Sequence, residues 1–156
     1  MDEFEALLSR FEDPTEKEAP QREEKPLVLV VDDDESMRRG LMRSLSSKFC
    51  VLVAANGPDG LKVFNENDVC SVILDVKMPG MDGFEVCMRL RQTDKPDVPV
   101  LFLTAYQSEH DLRKIDDLYQ PFLFLDKGGE YDLVGYVHEA VQTYKSLRDE
   151  KALNIQ

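Results

Sequence analysis

Basic residues are scarce in this sequence. Its 19 lysines and arginines stand against 31 aspartates and glutamates, which leaves a net charge of −12 and an isoelectric point of about 4.6. Nucleic acids and anionic membranes are bound through basic surfaces, so we expect neither as a direct partner of this chain. A divalent cation or a basic protein surface is a better electrostatic match for this acidic chain than a nucleic acid or an anionic membrane.

Long apolar runs are also missing. No stretch approaches the ~20 residues of a membrane span, and the acidic N-terminus does not have the basic and then apolar order of a signal peptide. We therefore expect a cytoplasmic protein. Its 156 residues, 42% hydrophobic and 32% charged, suit one folded globular domain.

Cysteine and histidine are too few and too scattered to suggest disulfides or a soft-metal site. Cys50, Cys70 and Cys87 are odd in number and have no CxxC spacing, so we predict three reduced thiols in the core. His110 and His138 fit no metal-ligand spacing and are expected at solvated helix positions.

The first 26 residues differ in composition from the rest of the chain. They hold nine acidic and four basic residues, and an apolar face with helical spacing runs through Phe4, Leu7, Leu8 and Phe11. A helix of about ten residues is marginal alone in water. Two interpretations stay open: a disordered tail with a nascent helix, or a helix that docks on this domain or on a partner. We predict an extension over 1–26, a domain over 27–147, and a helical extension or linker over 148–156.

Strand-like and helix-like patterns alternate through the rest of the chain. The five predicted strands cover 27–31, 50–55, 69–74, 98–103 and 122–125. The five predicted helices cover 36–48, a short segment around 61–64, 83–92, 108–119 and 131–149, with Asp34 and Asp82 as N-caps. This alternation indicates right-handed βαβ units and an α/β fold with a parallel sheet covered on both faces.

Polar residues follow four of the predicted strands. Asp32 and Asp33 follow the first, Asp75 the third, Thr104 the fourth and Lys127 the fifth. In parallel sheets, ligands bind beyond the carboxyl ends of the strands, so we expect these side chains to converge. Three carboxylates together raise each other's pKa unless a cation neutralises them, and an all-oxygen set suits Mg²⁺.

This constellation also fits phosphoryl transfer. A metal bound by Asp33 and Asp75 can coordinate a phosphoryl oxygen. Asp75 still has a free carboxylate oxygen that can attack phosphorus to form an acyl phosphate. Phosphoryl transfer needs positioning and charge neutralisation at the remaining oxygens. Lys127 can supply a cation there, and the Thr104 hydroxyl can donate a hydrogen bond.

The order of these residues resembles the receiver domain of two-component response regulators. The segments that carry the resemblance are Leu29–Asp33, Asp75 with Met78–Gly83, Leu103–Ala105, and Lys127. It covers roughly residues 27–147. The resemblance implies a flavodoxin-like (βα)5 doubly wound parallel sheet with strand order 2-1-3-4-5.

The resemblance also implies roles for the site residues. Asp75 would be the phosphoacceptor, and Mg²⁺ would be bound by Asp33, Asp75 and the backbone carbonyl of Lys77, with Asp32 acting mostly through water. Thr104 and Lys127 would contact the phosphoryl group. The donor would be a phosphohistidine on a sensor histidine kinase or a phosphotransfer protein.

A conformational switch is implied as well. Phosphorylation would draw Thr104 inward, and Phe124 would rotate into the vacated space, a local charge event that biases a two-state element. The output would be an altered contact with an unknown protein or a self-dimer. The predicted output face contains Leu112, Tyr119, Phe124, Tyr136 and Ala140.

Three departures from the family pattern modify these expectations. The family usually has proline after the lysine, often with a cis bond, whereas Gly128 and Gly129 follow here, so we expect a trans bond or a locally flexible loop. Pro121 stands before the fifth strand and should end the preceding helix by about Tyr119. Lys77, two residues past the acceptor, is predicted to modulate the lifetime of the acyl phosphate.

Other functions compete with a signalling switch. A Mg²⁺-dependent phosphohydrolase also uses an aspartate nucleophile, and Asp32 with Asp34 has the required spacing, but the segment Met78–Gly83 and the single uncapped domain argue against it. We therefore do not expect an enzyme beyond a receiver that promotes its own phosphotransfer and autodephosphorylation. The chain could also be the receiver part of a larger regulator or hybrid kinase, or a scaffold that is no longer phosphorylated.

Overall fold

Five parallel strands form the central sheet in a computed structural model that describes residues 24–105 and 122–154. The strands are β1 (Leu27–Val31), β2 (Cys50–Ala54), β3 (Val69–Leu74), β4 (Val100–Thr104) and β5 (Leu123–Asp126). Their order is β2-β1-β3-β4-β5, and every neighbouring pair is parallel. The predicted α/β class and the order 2-1-3-4-5 are confirmed.

The strands are connected by helices in the described part of the chain. These are α1 (Glu35–Leu45), α2 (Gly57–Glu66), α3 (Gly83–Arg91) and α4 (Leu133–Asn154). Asp34 accepts a hydrogen bond from the Ser36 N–H and Asp82 from the Glu85 N–H, so both predicted N-caps are confirmed. The helix predicted over 108–119 lies outside the described residues. None of the described helices has the length and hydrophobicity needed to cross a membrane.

Burial follows the position of each strand in the sheet. All residues of β3 and β4 are buried, as the continuous apolar runs predict for strands covered on both faces. The edge strand β2 is partly exposed, and Cys50 at its start is exposed. The prediction that Cys50 lies in the core is therefore wrong, because its strand has a neighbour on one side only. Cys70 and Cys87 are buried as predicted, and burial raises the pKa of Cys87 to about 11.

Helix α4 runs on into the segment 148–156, for which a helical extension or a linker was predicted. It continues without a break for 22 residues from Leu133 to Asn154. Arg148 lies 3.2 Å from the Asp68 carboxylate, and Lys151 forms an ion pair with Asp97, so the last turns contact the loops that precede β3 and β4. The exposed position of His138 on this helix agrees with its prediction, whereas His110 lies outside the described residues.

Candidate functional site

Three carboxylates meet at the carboxyl edge of the sheet. The ligand oxygens of Asp32, Asp33 and Asp75 all lie within 4.8 Å of one another. Asp32 and Asp75 are only 2% and 5% exposed, whereas Asp33 is exposed. The main chain brings them together, because the Asp75 N–H donates to the Val31 carbonyl at the end of β1. The acidic cluster expected from the strand ends is thus present.

Lys127 reaches into this cluster from the end of β5. Its Nζ lies 2.9 Å from Oδ2 of Asp32 and 3.3 Å from Oδ2 of Asp75. Its own N–H donates to the carbonyl of Thr104 at the end of β4. One ammonium beside three carboxylates leaves a net negative site, which favours binding of a divalent cation.

Burial and charge shift the acid–base properties of the site. Burial, and next the Asp32 carboxylate, raise the pKa of Asp75 from 3.8 to about 6, although the Lys127 ammonium lowers it. Burial lowers the pKa of Lys127, but the carboxylates of Asp32 and Asp75 outweigh burial, so the net pKa is raised. Lys127 is therefore charged at neutral pH. Ionising Asp75 costs free energy in the folded protein, and a bound cation would reduce that cost.

The two carboxylate oxygens of Asp32 both have protein partners. Oδ1 accepts from the Asp34 N–H at 2.9 Å, and Oδ2 faces Lys127. Arg38 Nη1 donates to the Asp32 backbone carbonyl at 2.7 Å and fixes the main chain at this point. Asp33 and Asp75 are thus better placed than Asp32 for direct contact with a metal. Arg38 was not predicted as a site residue, since helical spacing places it among ordinary exposed positions.

The loop from β3 to α3 is built around two glycines. Gly80 has a φ of 79°, a conformation that side chains rarely tolerate. A Cβ on Gly83 would lie 2.2 Å from the carbonyl oxygen of Asp75, so only glycine allows α3 to approach the end of β3 this closely. The Gly83 N–H also donates to the Val76 carbonyl at 2.8 Å. The segment Met78–Gly83 therefore shapes the backbone that follows Asp75.

An open cleft of about 570 Å³ lies beside the acidic cluster. Lys77 and Asp33 line the same cleft. The Lys77 backbone carbonyl was expected to bind Mg²⁺ on this side of the site. The all-oxygen donors of this region suit Mg²⁺. The cleft is lined by Asp33, Val76, Lys77, Met78, Pro79, Asp82 and Phe84.

Thr104 and Phe124 occupy neighbouring strands. Thr104 is 1% exposed at the end of β4. Phe124 is half-buried on β5, paired in register with Phe102, and the two ring centroids lie 5.7 Å apart. Of the predicted output face, Tyr136 is half-buried and Ala140 is fully buried, so Ala140 belongs to the core and not to a contact surface. Leu112 and Tyr119 lie outside the described residues.

The loop after Lys127 contains a contact that the sequence did not reveal. The peptide bond into Gly128 is trans, as predicted. The Tyr131 hydroxyl donates to the backbone carbonyl of Asp126 at 2.8 Å. No spacing rule indicates this contact, because it depends on how the loop turns back toward the strand.

Comparisons with known proteins agree with this geometry. The family model described as the response regulator receiver domain matches residues 28–119. The transcriptional regulatory protein AfsQ1 of Streptomyces coelicolor is 42% identical over 88 residues, which are 56% of this chain and 38% of that protein. The response regulator MprA of a Mycobacterium species is 46% identical over 82 residues, 52% of this chain and 35% of that protein. The chain thus matches little more than a third of either relative.

A solved structure extends the similarity beyond the aligned sequences. A response regulator receiver domain protein from Clostridium thermocellum superimposes with a TM-score of 0.70 at 26% identity. The superposition covers 78% of this chain and 98% of that one. The similarity therefore includes nearly the whole of an independent receiver domain.

Proposed function

The chain belongs to the family of response regulator receiver domains, and from that premise we propose that it is a phosphorylation-dependent switch with Asp75 as the acceptor. The observation that carries the proposal is the position of the Asp75 carboxylate, which is buried beside Lys127 and shares a cluster with Asp32 and Asp33. Asp75 is the proposed nucleophile because of this position and because the open cleft beside the cluster is lined by Asp33 and by Val76, the residue that follows Asp75.

Mg²⁺ is the proposed cofactor. Asp33, Asp75 and the Lys77 backbone carbonyl would hold it directly, and Asp32 would act through water, because its two oxygens already face Asp34 and Lys127. When bound, the metal supplies positive charge to the phosphoryl oxygens during transfer. The donor set is hard and all-oxygen, in keeping with this ion.

The proposed reaction transfers a phosphoryl group from a phosphohistidine of a sensor histidine kinase or phosphotransfer protein. A carboxylate oxygen of Asp75 attacks phosphorus, the P–N bond breaks, and the departing imidazole takes up a proton. The Lys127 ammonium neutralises charge on one phosphoryl oxygen, and the Thr104 hydroxyl donates a hydrogen bond to another. Reorientation of Thr104 and Phe124 then alters the contacts of β5 and α4 with an output protein or a second copy of the chain.

Labelling with acetyl phosphate tests this proposal. Wild-type protein in Mg²⁺ should gain one acid-stable, base-labile phosphoryl group per chain, and Asp75→Asn should gain none. Asp94→Asn, the same substitution at an exposed loop position, serves as the matched control and should be labelled normally. Continuous multiple-turnover hydrolysis without a labelled intermediate would favour the phosphohydrolase instead.

Lys77 is proposed to set the lifetime of the phosphorylated state. It lies two residues past Asp75 and lines the same cleft as Asp33, where its side chain would affect the approach of water to the acyl phosphate. Replacing Lys77 with alanine should change the half-life of the acyl phosphate by about threefold or more, a difference of ~0.7 kcal/mol in barrier height. The half-life is measured by the loss of label after removal of acetyl phosphate. An unchanged half-life would rule out this role.

Two properties of the whole chain complete the proposal. We place the protein in the cytoplasm, where histidine kinases present their phosphohistidine. We also propose that these 156 residues do not contact nucleic acid themselves, since their net charge is −12.

Solution mass with and without beryllofluoride, a phosphoryl mimic, would distinguish self-dimerisation from binding to another protein as the output.

A further inference from the structure

The loop that carries Lys127 has little intrinsic rigidity. Lys127 is followed by Gly128 and Gly129, the residue type that restricts the backbone least and loses most entropy on ordering. The lysine Nζ nevertheless lies between Asp32 and Asp75 at hydrogen-bond distances. The restraint on its backbone must therefore come from contacts with other parts of the loop and sheet.

Both polar ends of the peptide unit that enters Lys127 are held. Its N–H donates to the Thr104 carbonyl at 3.0 Å. Its oxygen, the carbonyl of Asp126, accepts from the Tyr131 hydroxyl at 2.8 Å and from the Gly129 N–H at 3.0 Å. Fixing both ends fixes the plane of the unit and with it the N–Cα bond of Lys127. The turn closed by the Gly129 N–H restrains the next torsion angle, and together they set the direction in which the Lys127 side chain leaves the backbone.

We propose that Tyr131 is a positioning residue for Lys127, and that its hydroxyl holds the Asp126–Lys127 peptide plane so that the ammonium reaches the acidic cluster. The inference rests on the proposed function of Asp75. The proposed action of Tyr131 is indirect: its hydroxyl holds the backbone carbonyl of Asp126, and the Lys127 ammonium carries the effect to the cluster.

The aromatic ring of Tyr131 contributes to the same arrangement. A Cβ on Gly129 would lie 2.9 Å from the ring Cε1 and 3.3 Å from the Asp126 carbonyl oxygen. A Cβ on Gly128 would meet only the Asp126 carboxylate, at an ordinary 3.7 Å. Neither glycine has a positive φ. Gly129 is thus required by the close approach of the Tyr131 ring, whereas Gly128 is not.

Tyr131→Phe removes the hydroxyl and keeps the ring. In saturating Mg²⁺, the rate of Asp75 phosphorylation by acetyl phosphate should fall about fivefold, the effect of losing one hydrogen bond that orients a reacting group. Tyr144→Phe makes the same change on a buried tyrosine of α4 and should leave the rate unchanged. Equal rates for Tyr131→Phe and wild type would overturn the inference.

A pair of glycine variants tests the ring contact separately. Gly129→Ala should displace the Tyr131 ring and slow phosphorylation to a similar degree, whereas Gly128→Ala should be close to wild type. Adding Tyr131→Phe to Gly129→Ala should have less than twofold further effect, because both changes release the same peptide unit. Equal rates for the two alanine variants would contradict the proposed contact.

A double-mutant cycle separates positioning from a general loss of structure. With Lys127→Ala in the background, Tyr131→Phe should change the phosphorylation rate less than twofold, since no ammonium is left to position. A fivefold loss that persists in this background would show that Tyr131 does not act through Lys127. If wild type itself takes no label at Asp75, the proposed function fails; if wild type is labelled and Tyr131→Phe matches it, only the positioning role fails.

Discussion

Replacing Lys127 with methionine is expected to destabilise the metal-free protein by about 3 kcal/mol, the lower end of the range for breaking a buried ion pair. The Lys127 side chain is 23% exposed, but the side chains of its partners Asp32 and Asp75 are 3% and 5% exposed. Loss of the cation leaves two adjacent carboxylates that water reaches poorly. Phosphorylation of Asp75 should slow about 100-fold, because one cation on the phosphoryl oxygens is lost.

Urea unfolding with EDTA and then with Mg²⁺ measures this effect. Mg²⁺ should restore more stability to Lys127→Met than it adds to wild type, since the metal replaces the missing positive charge. Lys62→Met, at an exposed position on α2, controls for the change from lysine to methionine and should change stability by less than ~0.5 kcal/mol. If Lys127→Met is as stable as wild type in EDTA, the ammonium does not neutralise the cluster.

Asp75→Asn is expected to have the opposite effect and to stabilise the metal-free protein at neutral pH by about 3 kcal/mol. Asp75 has a pKa of about 6 when folded, against an ordinary value of 3.8, and each unit corresponds to ~1.4 kcal/mol. The folded state therefore holds the proton more tightly than the unfolded state. The contribution of Asp75 to wild-type stability should fall as pH rises from about 4 to about 6 and then level off.

The pH dependence provides the measurement. The free energy of unfolding of wild type and of Asp75→Asn is measured in EDTA at pH 4 and at pH 7.5. The variant should be more stable than wild type at pH 7.5, and the two should be nearly equally stable at pH 4. Asp94→Asn should follow the wild-type curve. Mg²⁺ should narrow the gap at pH 7.5, because it stabilises the ionised carboxylate of the wild type. A variant less stable than wild type at pH 7.5 in EDTA would show that the ionised carboxylate of Asp75 does not destabilise the folded state.

Several features of the site were accessible from residue order alone. Asp32, Asp75, Thr104 and Lys127 each follow an apolar run, and parallel strands present their carboxyl ends at one edge. The convergence of these residues therefore followed from local patterns together with one topological rule. The Asp34 and Asp82 caps were predictable for a similar reason, since capping involves residues within one turn of each other.

Cys50 and Ala140 show where local patterns are insufficient. Cys50 begins an apolar run like those of the central strands, but β2 has a neighbour on only one side, so the residue is exposed. Ala140 was predicted to lie on the output face, but it is on the side of α4 that packs against the core. An apolar pattern identifies a strand or helix, whereas burial depends on what packs on each side of it.

By itself, the sequence determined the alternation of strands and helices, the identity of the strand-end residues and the acidic character of their common edge. These depend on side-chain chemistry and on contacts between near neighbours. Only the tertiary structure decided that one ammonium lies between Asp32 and Asp75, and that the Tyr131 hydroxyl holds the peptide unit entering Lys127. The physical reason is that a long side chain and a glycine-rich loop have many conformations, and distant parts of the chain select among them.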